Sequence, residues 1–288
     1  MSNTRRFSAA KVAASAALVA ASLLCGGGVA RADVKMVSTT TVSGLPAGQA
    51  PPKPMAITTY YKGEMQRTEN GDAVTIFDCA KDLQYVLDGK KKTYYVTSMK
   101  DAMAAAASNP FLAMVKFDTS VDLKPGDKTK EIAGKKASLY NYTAVIKMSM
   151  DGSPELAAML PTITLQGEQW TTEDFALPAN CAKMRGGQML RSMRATLGKG
   201  AQDIADKLAT MKGSPLSSKV VVTVKANADL PGVPKDPIVT TTEVTSVSEE
   251  ALADALFAVP ADYKKVDPPA APGPGGFPGA GAPPPAAG

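Results

Sequence analysis

The sequence predicts a mainly β protein in which one antiparallel sheet dominates and a few helices cover it. The residues from Leu139 to Met150 alternate strictly, with Tyr140, Tyr142, Ile146 and Met148 on one side. This period of two is typical of a strand with one buried face. Asn70-Gly71 and Asp88-Gly89 separate short β-rich segments, and both dipeptides favour tight hairpin turns.

Residues 1–32 have the three parts of a cleaved signal peptide. A positively charged start at Arg5, Arg6 and Lys11 precedes an apolar run from residue 12 to residue 24. Small residues in Ala30-Arg31-Ala32 predict cleavage before Asp33. We therefore expect an exported protein, located in the periplasm or outside the cell.

Two alternatives for this segment are less favoured. A retained membrane anchor is disfavoured, because a spanning helix needs about 20 apolar residues. Lipoprotein processing at Cys25 is also less favoured, because the bulky Leu24 stands where such signals carry a small residue.

Composition excludes several classes of function. The chain contains no histidine, which removes the commonest general base and the commonest metal ligand. The formal charge is +5, but residues 1–32 supply +4 of it and leave +1 (5 − 4) for the rest. Nucleic-acid binding needs a clustered basic surface, so we expect no nucleic-acid partner.

The first part of the mature chain reads as a meander of strands. The predicted strands are Val34–Ser43, Met55–Tyr61, Glu64–Glu69, Ala73–Phe77, Leu83–Leu87 and Thr93–Thr97. Met99–Ser108 is rich in alanine and favours a helix. Val115–Leu123 is a further strand, which the sequence predicts to end in a turn at Pro125-Gly126-Asp127.

The second part alternates strands with helical segments. The predicted strands are Lys128–Ile132, Leu139–Met150, Thr162–Thr172, Pro215–Ala226 and Ile238–Ser248. The predicted helices are Asn180–Leu197, Ala201–Met211 and a short one at Glu249–Phe257 with Ser248 as its N-cap.

A single domain of residues 33–266 accounts for these elements. Residues 267–288 consist mostly of proline, glycine and alanine, so we predict a disordered or extended tail.

Cleavage would leave Cys79 and Cys181. An even number of cysteines in an exported protein invites a disulfide, while two separate buried thiols are an equal alternative.

Five segments carry a resemblance to a known family. They are Tyr61–Arg67, Asp88–Tyr94, Lys128–Lys136 with Tyr140, Glu168–Thr172 and Phe257–Tyr263. Their order resembles that of a family of exported bacterial proteins of unassigned function, related to the lipoprotein-carrier (LolA-like) superfamily. The resemblance implies a strongly curved antiparallel sheet, an open half-barrel, with helices on its concave face. It further implies that the concavity holds acyl chains or hydrophobic segments, and it brings no catalytic residue.

The resulting functional prediction is a non-catalytic envelope protein that binds or carries a lipid or another apolar ligand. The candidate ligand-binding residues are Tyr140, Tyr142, Ile146, Met148, Met159, Trp170, Met189, Met193 and Leu208. The alternative for each of them is an ordinary place in the core.

Other functions are disfavoured or remain open. Methionine pairs such as Met148 and Met150 can hold Cu(I), but without histidine we expect no metal site and no cofactor. The carboxylates form no recognised acid–base pair, so we expect no enzyme. A structural scaffold that contacts an envelope protein through the proline-rich tail is the alternative function.

Overall fold

The computed structural model describes residues 33–45, 53–98, 100–101, 104, 115–150, 160–178, 181, 199–225, 234 and 236–269. The chain divides into two units, residues 1–32 and 33–288, and all of the described residues lie in the second. The predicted signal peptide and most of the predicted tail lie outside the described residues.

Six consecutive strands form the first half of the sheet. They are β1 (Val34–Ser43), β2 (Met55–Lys62), β3 (Met65–Asn70), β4 (Ala73–Asp78), β5 (Leu83–Asp88) and β6 (Thr93–Ser98). Each pairs with the next in antiparallel fashion. Gly63 and Gly71 have positive φ angles of 53° and 57°, which glycine adopts without strain and which the tight turns require.

Five longer strands form the second half. They are β7 (Val115–Ile132), β8 (Lys135–Met150), β9 (Thr162–Thr172), β10 (Ser214–Lys225) and β11 (Ile238–Glu249). A final strand of two residues, β12 (Lys264–Lys265), follows.

One sheet contains all twelve described strands, in the order β12-β6-β5-β4-β3-β2-β1-β11-β10-β9-β8-β7. β11 pairs antiparallel with β1, which joins the two halves. All other neighbours are antiparallel except β12, which lies parallel to β6. The sheet is not closed, since β7 and β12 lie at its two edges. The prediction of a mainly antiparallel, unclosed β architecture is confirmed.

The helix α1 (Lys199–Leu208) packs on the second half of the sheet. Its side chains Ile204, Ala205 and Leu208 recur at helical spacing and form one buried cluster with Ile146 of β8 and Val222 of β10. Apolar burial of this kind stabilises by about 25 cal/mol per Å². α1 is the one α-helix longer than a few residues within the described part of the chain. The predicted helices that cover the face of the sheet are therefore not shown there.

A second buried cluster joins the two halves of the sheet. Val34 and Met36 of β1 belong to it together with Ile132 of β7 and Ala137 of β8. Phe175, from the segment after β9, fills the same cluster. The tip of the β7–β8 hairpin therefore packs against strands that are not its neighbours in the ladder.

The predicted turn at Pro125-Gly126-Asp127 is wrong. These residues lie within β7, where the pairing with β8 shifts register between Pro125 and Thr129. Proline lacks the backbone N–H that a central strand needs, but an edge strand accommodates it at a bulge.

The predicted helix at Glu249–Phe257 and its N-cap at Ser248 are also wrong in part. β11 continues to Glu249, because Val247 and Glu249 pair with Met36 and Val34. A short 3₁₀ helix begins only at Asp254 and ends at Phe257, and Ala253 precedes it without a side-chain cap. The pairing of β11 with β1 prevails over the local helix signal.

The other predicted helices have mixed outcomes. α1 begins at Lys199 and ends at Leu208, two and three residues before the predicted bounds. Residues 100, 101, 104 and 181 are helical, while the rest of Met99–Ser108 and of Asn180–Leu197 lies outside the described residues.

Candidate ligand-binding face

One face of the sheet carries no charged side chain over a continuous part of six described strands. Residues that pair across an antiparallel ladder share a face, and alternate residues of one strand do too. Starting from Ile146, this rule selects even residues 138–150 of β8, odd residues 163–171 of β9 and odd residues 115–125 of β7. It also selects even residues 218–224 of β10, 238–244 of β11 and 38–42 of β1. None of these residues is Asp, Glu, Lys or Arg, and we call them the uncharged face. This face ends where charges begin, at Lys136 of β8 and at Glu249 of β11, which pairs with Val34 beyond a register shift.

The opposite face of the same strands carries the charges, and we call it the charged face. It presents Lys35, Lys116, Asp118, Asp122, Lys124, Lys147, Glu168, Lys219, Lys225 and Glu243. All of these residues except the half-buried Lys35 are exposed. The two faces therefore differ in charge as well as in hydropathy, as expected when water contacts only one of them.

The part of the uncharged face beneath α1 is filled by protein. Ile146 is completely buried, and Leu208 of α1 is 5% exposed in the same cluster. Both residues were predicted to bind ligand, and the structure places both in the core between helix and sheet. Phe117, Tyr140 and Tyr142 pack at the margin of this cluster and are half-buried.

Tyr142 lies across its cross-strand partner Gly167. A Cβ atom built on Gly167 would overlap the tyrosine ring, so glycine is what allows the ring to lie flat against β9. Burial raises the pKa of Tyr142 to about 12. The phenol is therefore neutral over the physiological range, and it adds no charge to this face.

A row of uncharged polar side chains crosses the uncharged face. Register pairs Thr40 with Thr242, Thr242 with Ser218, Ser218 with Gln169, and Gln169 with Tyr140. We call these five residues the polar belt. All of them are half-buried.

The polar belt forms hydrogen bonds along its length. The hydroxyl oxygens of Thr40 and Thr242 lie 2.9 Å apart. Gln169 donates from Nε2 to the backbone oxygen of Ser217 at 3.3 Å. The backbone N–H of Lys212 donates to the hydroxyl oxygen of Tyr140 at 3.4 Å. The sequence alone shows that β11 is rich in threonine. It does not show the strand register, which aligns Thr242 with the other four residues of the polar belt.

The remaining predicted ligand residues do not all meet. Met148 lies on the uncharged face and is half-buried. Trp170 pairs with Leu139 and therefore lies on the face opposite to Tyr140 and Tyr142. The ammonium group of Lys130 lies 4.5 Å from the centre of its ring. Met159, Met189 and Met193 lie outside the described residues, and their contact with a ligand stays a prediction.

Cys79 and Cys181 form a disulfide, with their Cα atoms 5.1 Å apart. Both are buried, and they form a cluster with Phe77 of β4, against which Tyr61 of β2 packs. The backbone N–H of Cys79 donates to the oxygen of Glu64 at 2.9 Å. The bridge fastens the segment after β9 onto the meander.

The described residues show neither a metal cluster nor a spanning helix. No group of three or more Cys, Asp or Glu side chains among them is arranged to hold a metal ion. Within the same residues, no helix is long and apolar enough to cross a membrane.

Comparison with known proteins gives little further information. No family model matches the chain, and no curated protein gives a significant match. A solved structure titled "Structure of PNGF-II in P21 space group" aligns at 17% identity with a TM-score of 0.33. The alignment covers 82% of this chain and 32% of that one, so this chain spans about a third of its length. At such a TM-score the likeness says nothing about fold or function.

Proposed function

We propose that this protein binds or carries a lipid or another apolar ligand on the uncharged face, without catalysing a reaction. The separation of charge between the two faces carries the proposal. The fully buried residues under α1 lack charge because they form a structural core. The half-buried positions beside them also lack charge, and a core does not account for that. Ligand sites for apolar molecules are concave and apolar, with a few placed polar groups.

The proposal includes a LolA-like half-barrel with helices on its concave face. Two contacts support a curved sheet. Lys135 of β8 pairs with Glu249 of β11 at 3.0 Å, although β9 and β10 lie between them. Three strand spacings in a flat sheet amount to about 14 Å, a gap that these two side chains would bridge only when fully extended toward each other. The packing of Ile132 with Val34 at the same end also requires the β7–β8 hairpin to bend over the sheet.

The proposal also includes export to the periplasm or beyond. The pattern of residues 1–32 supports it, and the Cys79–Cys181 disulfide is consistent with an oxidising compartment. Cleavage before Asp33 would place the new amino terminus at the start of the described domain. Asp33 has partners there, since its carboxylate accepts the N–H of Leu252 at 2.9 Å.

A scaffold with no small ligand is the second candidate, and one observation favours it. Two backbone hydrogen bonds fix the chain just before the tail. The N–H of Lys264 donates to the oxygen of Lys92 at 2.9 Å, and the N–H of Val266 donates to the oxygen of Tyr94 at 2.8 Å. A proline-rich segment anchored in this way at the sheet edge is suited to reach a partner protein.

Native mass spectrometry distinguishes the two candidates. The full chain is expressed with residues 1–32, recovered from a periplasmic extract without detergent, and then extracted with organic solvent. The lipid proposal predicts a stoichiometric adduct that the solvent removes. A bare polypeptide mass, together with no uptake of a fluorescent fatty acid or a fluorescent monoacylglycerol, would leave the scaffold as the better account.

A further inference from the structure

We infer that the ligand is an uncharged amphiphile, whose hydroxyl or carbonyl oxygens lie against the polar belt and whose chain lies on the adjoining apolar row. The inference rests on the proposed function and specifies the chemical class of its ligand. Its evidence is the position, the hydrogen-bonding capacity and the neutrality of the belt.

The polar belt borders the apolar region under α1 on one side. On one side, two residues further along each strand, lie Val220, Gly167 and Tyr142, which adjoin the cluster under α1. On the other side, the next row contains Ser38, Thr171 and Ser138 beside Val244, so polar groups continue beyond the belt. A ligand with apolar and polar parts fits this order of rows better than a plain hydrocarbon does.

The belt retains hydrogen-bonding capacity beyond its own contacts. A threonine hydroxyl offers one donor and two acceptor positions, and the Thr40–Thr242 contact uses only part of them. Among the described residues, no further partner is seen for the carbonyl oxygen and second N–H of Gln169 or for the O–H of Tyr140. Once a ligand excludes water from these groups, any of them without a hydrogen-bond partner is unfavourable. A ligand that supplies oxygen atoms here replaces water without leaving these groups unsatisfied.

The neutrality of the face determines the class of ligand. A carboxylate or phosphate group brought onto a partly buried surface needs a nearby cation. None of the described side chains on the uncharged face is a lysine or an arginine. Lys212 is exposed and contacts the belt through its backbone N–H. A hydroxyl, ester or amide group therefore suits the belt, and an ionised group does not.

The test compares two ligands with the same acyl chain, monoolein and ionised oleic acid, in competition against a fluorescent monoacylglycerol bound to the full mature chain. We expect monoolein to bind about tenfold more tightly or better, because only oleate brings an unpaired charge. Equal or tighter binding of oleate would overturn the inference and leave the proposed function standing. No binding of either ligand, with no lipid in the native extract, would remove both.

Matched variants locate the effect on the belt. Thr242→Val and Gln169→Leu each remove hydrogen-bonding groups at nearly constant volume, and we expect monoolein to bind about three- to tenfold more weakly. Thr241→Val and Gln166→Leu are the controls, since these neighbours lie on the charged face. Unchanged monoolein affinity in both belt variants, or an equal loss in the controls, would contradict the inference. Thermal unfolding of all four variants reports whether each is folded.

Discussion

The ring of Tyr142 in β8 lies directly over the backbone of Gly167 in β9, and the absence of a side chain at residue 167 makes this contact possible. The pair stands at the centre of the uncharged face, between the core under α1 and the polar belt. Neither residue can change in size without affecting the other.

Substitution of Gly167 tests this contact. We expect Gly167→Ala to reduce the free energy of unfolding by about 1–3 kcal/mol, because the new methyl group forces the Tyr142 ring away from β9. Urea unfolding measures the change. In the background of Tyr142→Ala the same substitution should cost much less, since the overlapping ring is gone. Equal costs in the two backgrounds would show that the ring does not cover residue 167.

The pKa of Tyr142 predicts an alkaline loss of stability. The folded pKa of about 12 exceeds the unfolded value of about 10. Above pH 10 the unfolded chain releases a proton that the folded protein keeps, so stability falls as pH rises from about 10 to 12. The loss from this residue is at most about 2–3 kcal/mol.

Tyr142→Phe provides the measurement, because it removes the titrating group and retains the ring. We expect the free energy of unfolding of this variant to fall less steeply above pH 10 than that of the unchanged protein. Burial also raises the pKa of Tyr95, so Tyr95→Phe is the comparison that separates the two contributions. Parallel pH profiles for the unchanged protein and Tyr142→Phe would contradict the prediction.

The contact of the β7–β8 hairpin tip with β1 and β11 predicts that packing, not charge, holds the tip in place. Ile132 is 5% exposed in the cluster with Val34, so we expect Ile132→Ala to cost about 2–4 kcal/mol. The Lys135 and Glu249 side chains are 25% and 38% exposed, so Glu249→Gln should cost less than about 1 kcal/mol. Urea midpoints of the two variants give the comparison, and a larger cost for Glu249→Gln would reverse the order of importance.

The disulfide predicts a redox-dependent stability. Cys79 and Cys181 are separated by 102 residues, and a bridge over such a loop stabilises by up to about 4–5 kcal/mol in the chain-entropy model. We expect the double variant Cys79→Ser, Cys181→Ser to unfold at a lower urea concentration. A reducing agent should lower the midpoint of the unchanged protein and leave that of the double variant unaltered. Equal midpoints with and without reducing agent, in a protein shown by thiol labelling to be reduced, would contradict the prediction.

Local signals were sufficient to predict the strands of the meander. Turn residues such as Gly63 and Gly71 are needed for positive φ angles, and they mark the ends of β2 and β3 in the sequence itself. The alternation of β8 likewise indicates which residues share a face with Ile146. These features depend on neighbours along the chain, so a single sequence contains them.

Features that depend on distant pairing could not be predicted in this way. The pairing of β11 with β1 extends β11 to Glu249, where the local sequence favours a helix. The polar belt exists because five strands bring Thr40, Ser218 and Gln169 to one level, and this register is set by the whole sheet. Trp170 is a candidate ligand residue by sequence, as Tyr140 is, but its position in β9 places it on the other face.

The most direct test of the uncharged face uses two adjacent valines of β10. Val220 lies on the uncharged face and Val221 on the charged face, and both are half-buried. Binding of a fluorescent monoacylglycerol is measured for Val220→Asp and Val221→Asp, with circular dichroism to show that both are folded. The account predicts that Val220→Asp loses binding, because a carboxylate now lies among apolar contacts, while Val221→Asp binds as the unchanged protein does. Retained binding in Val220→Asp, or equal loss in both variants, would contradict the claim that the uncharged face holds the ligand.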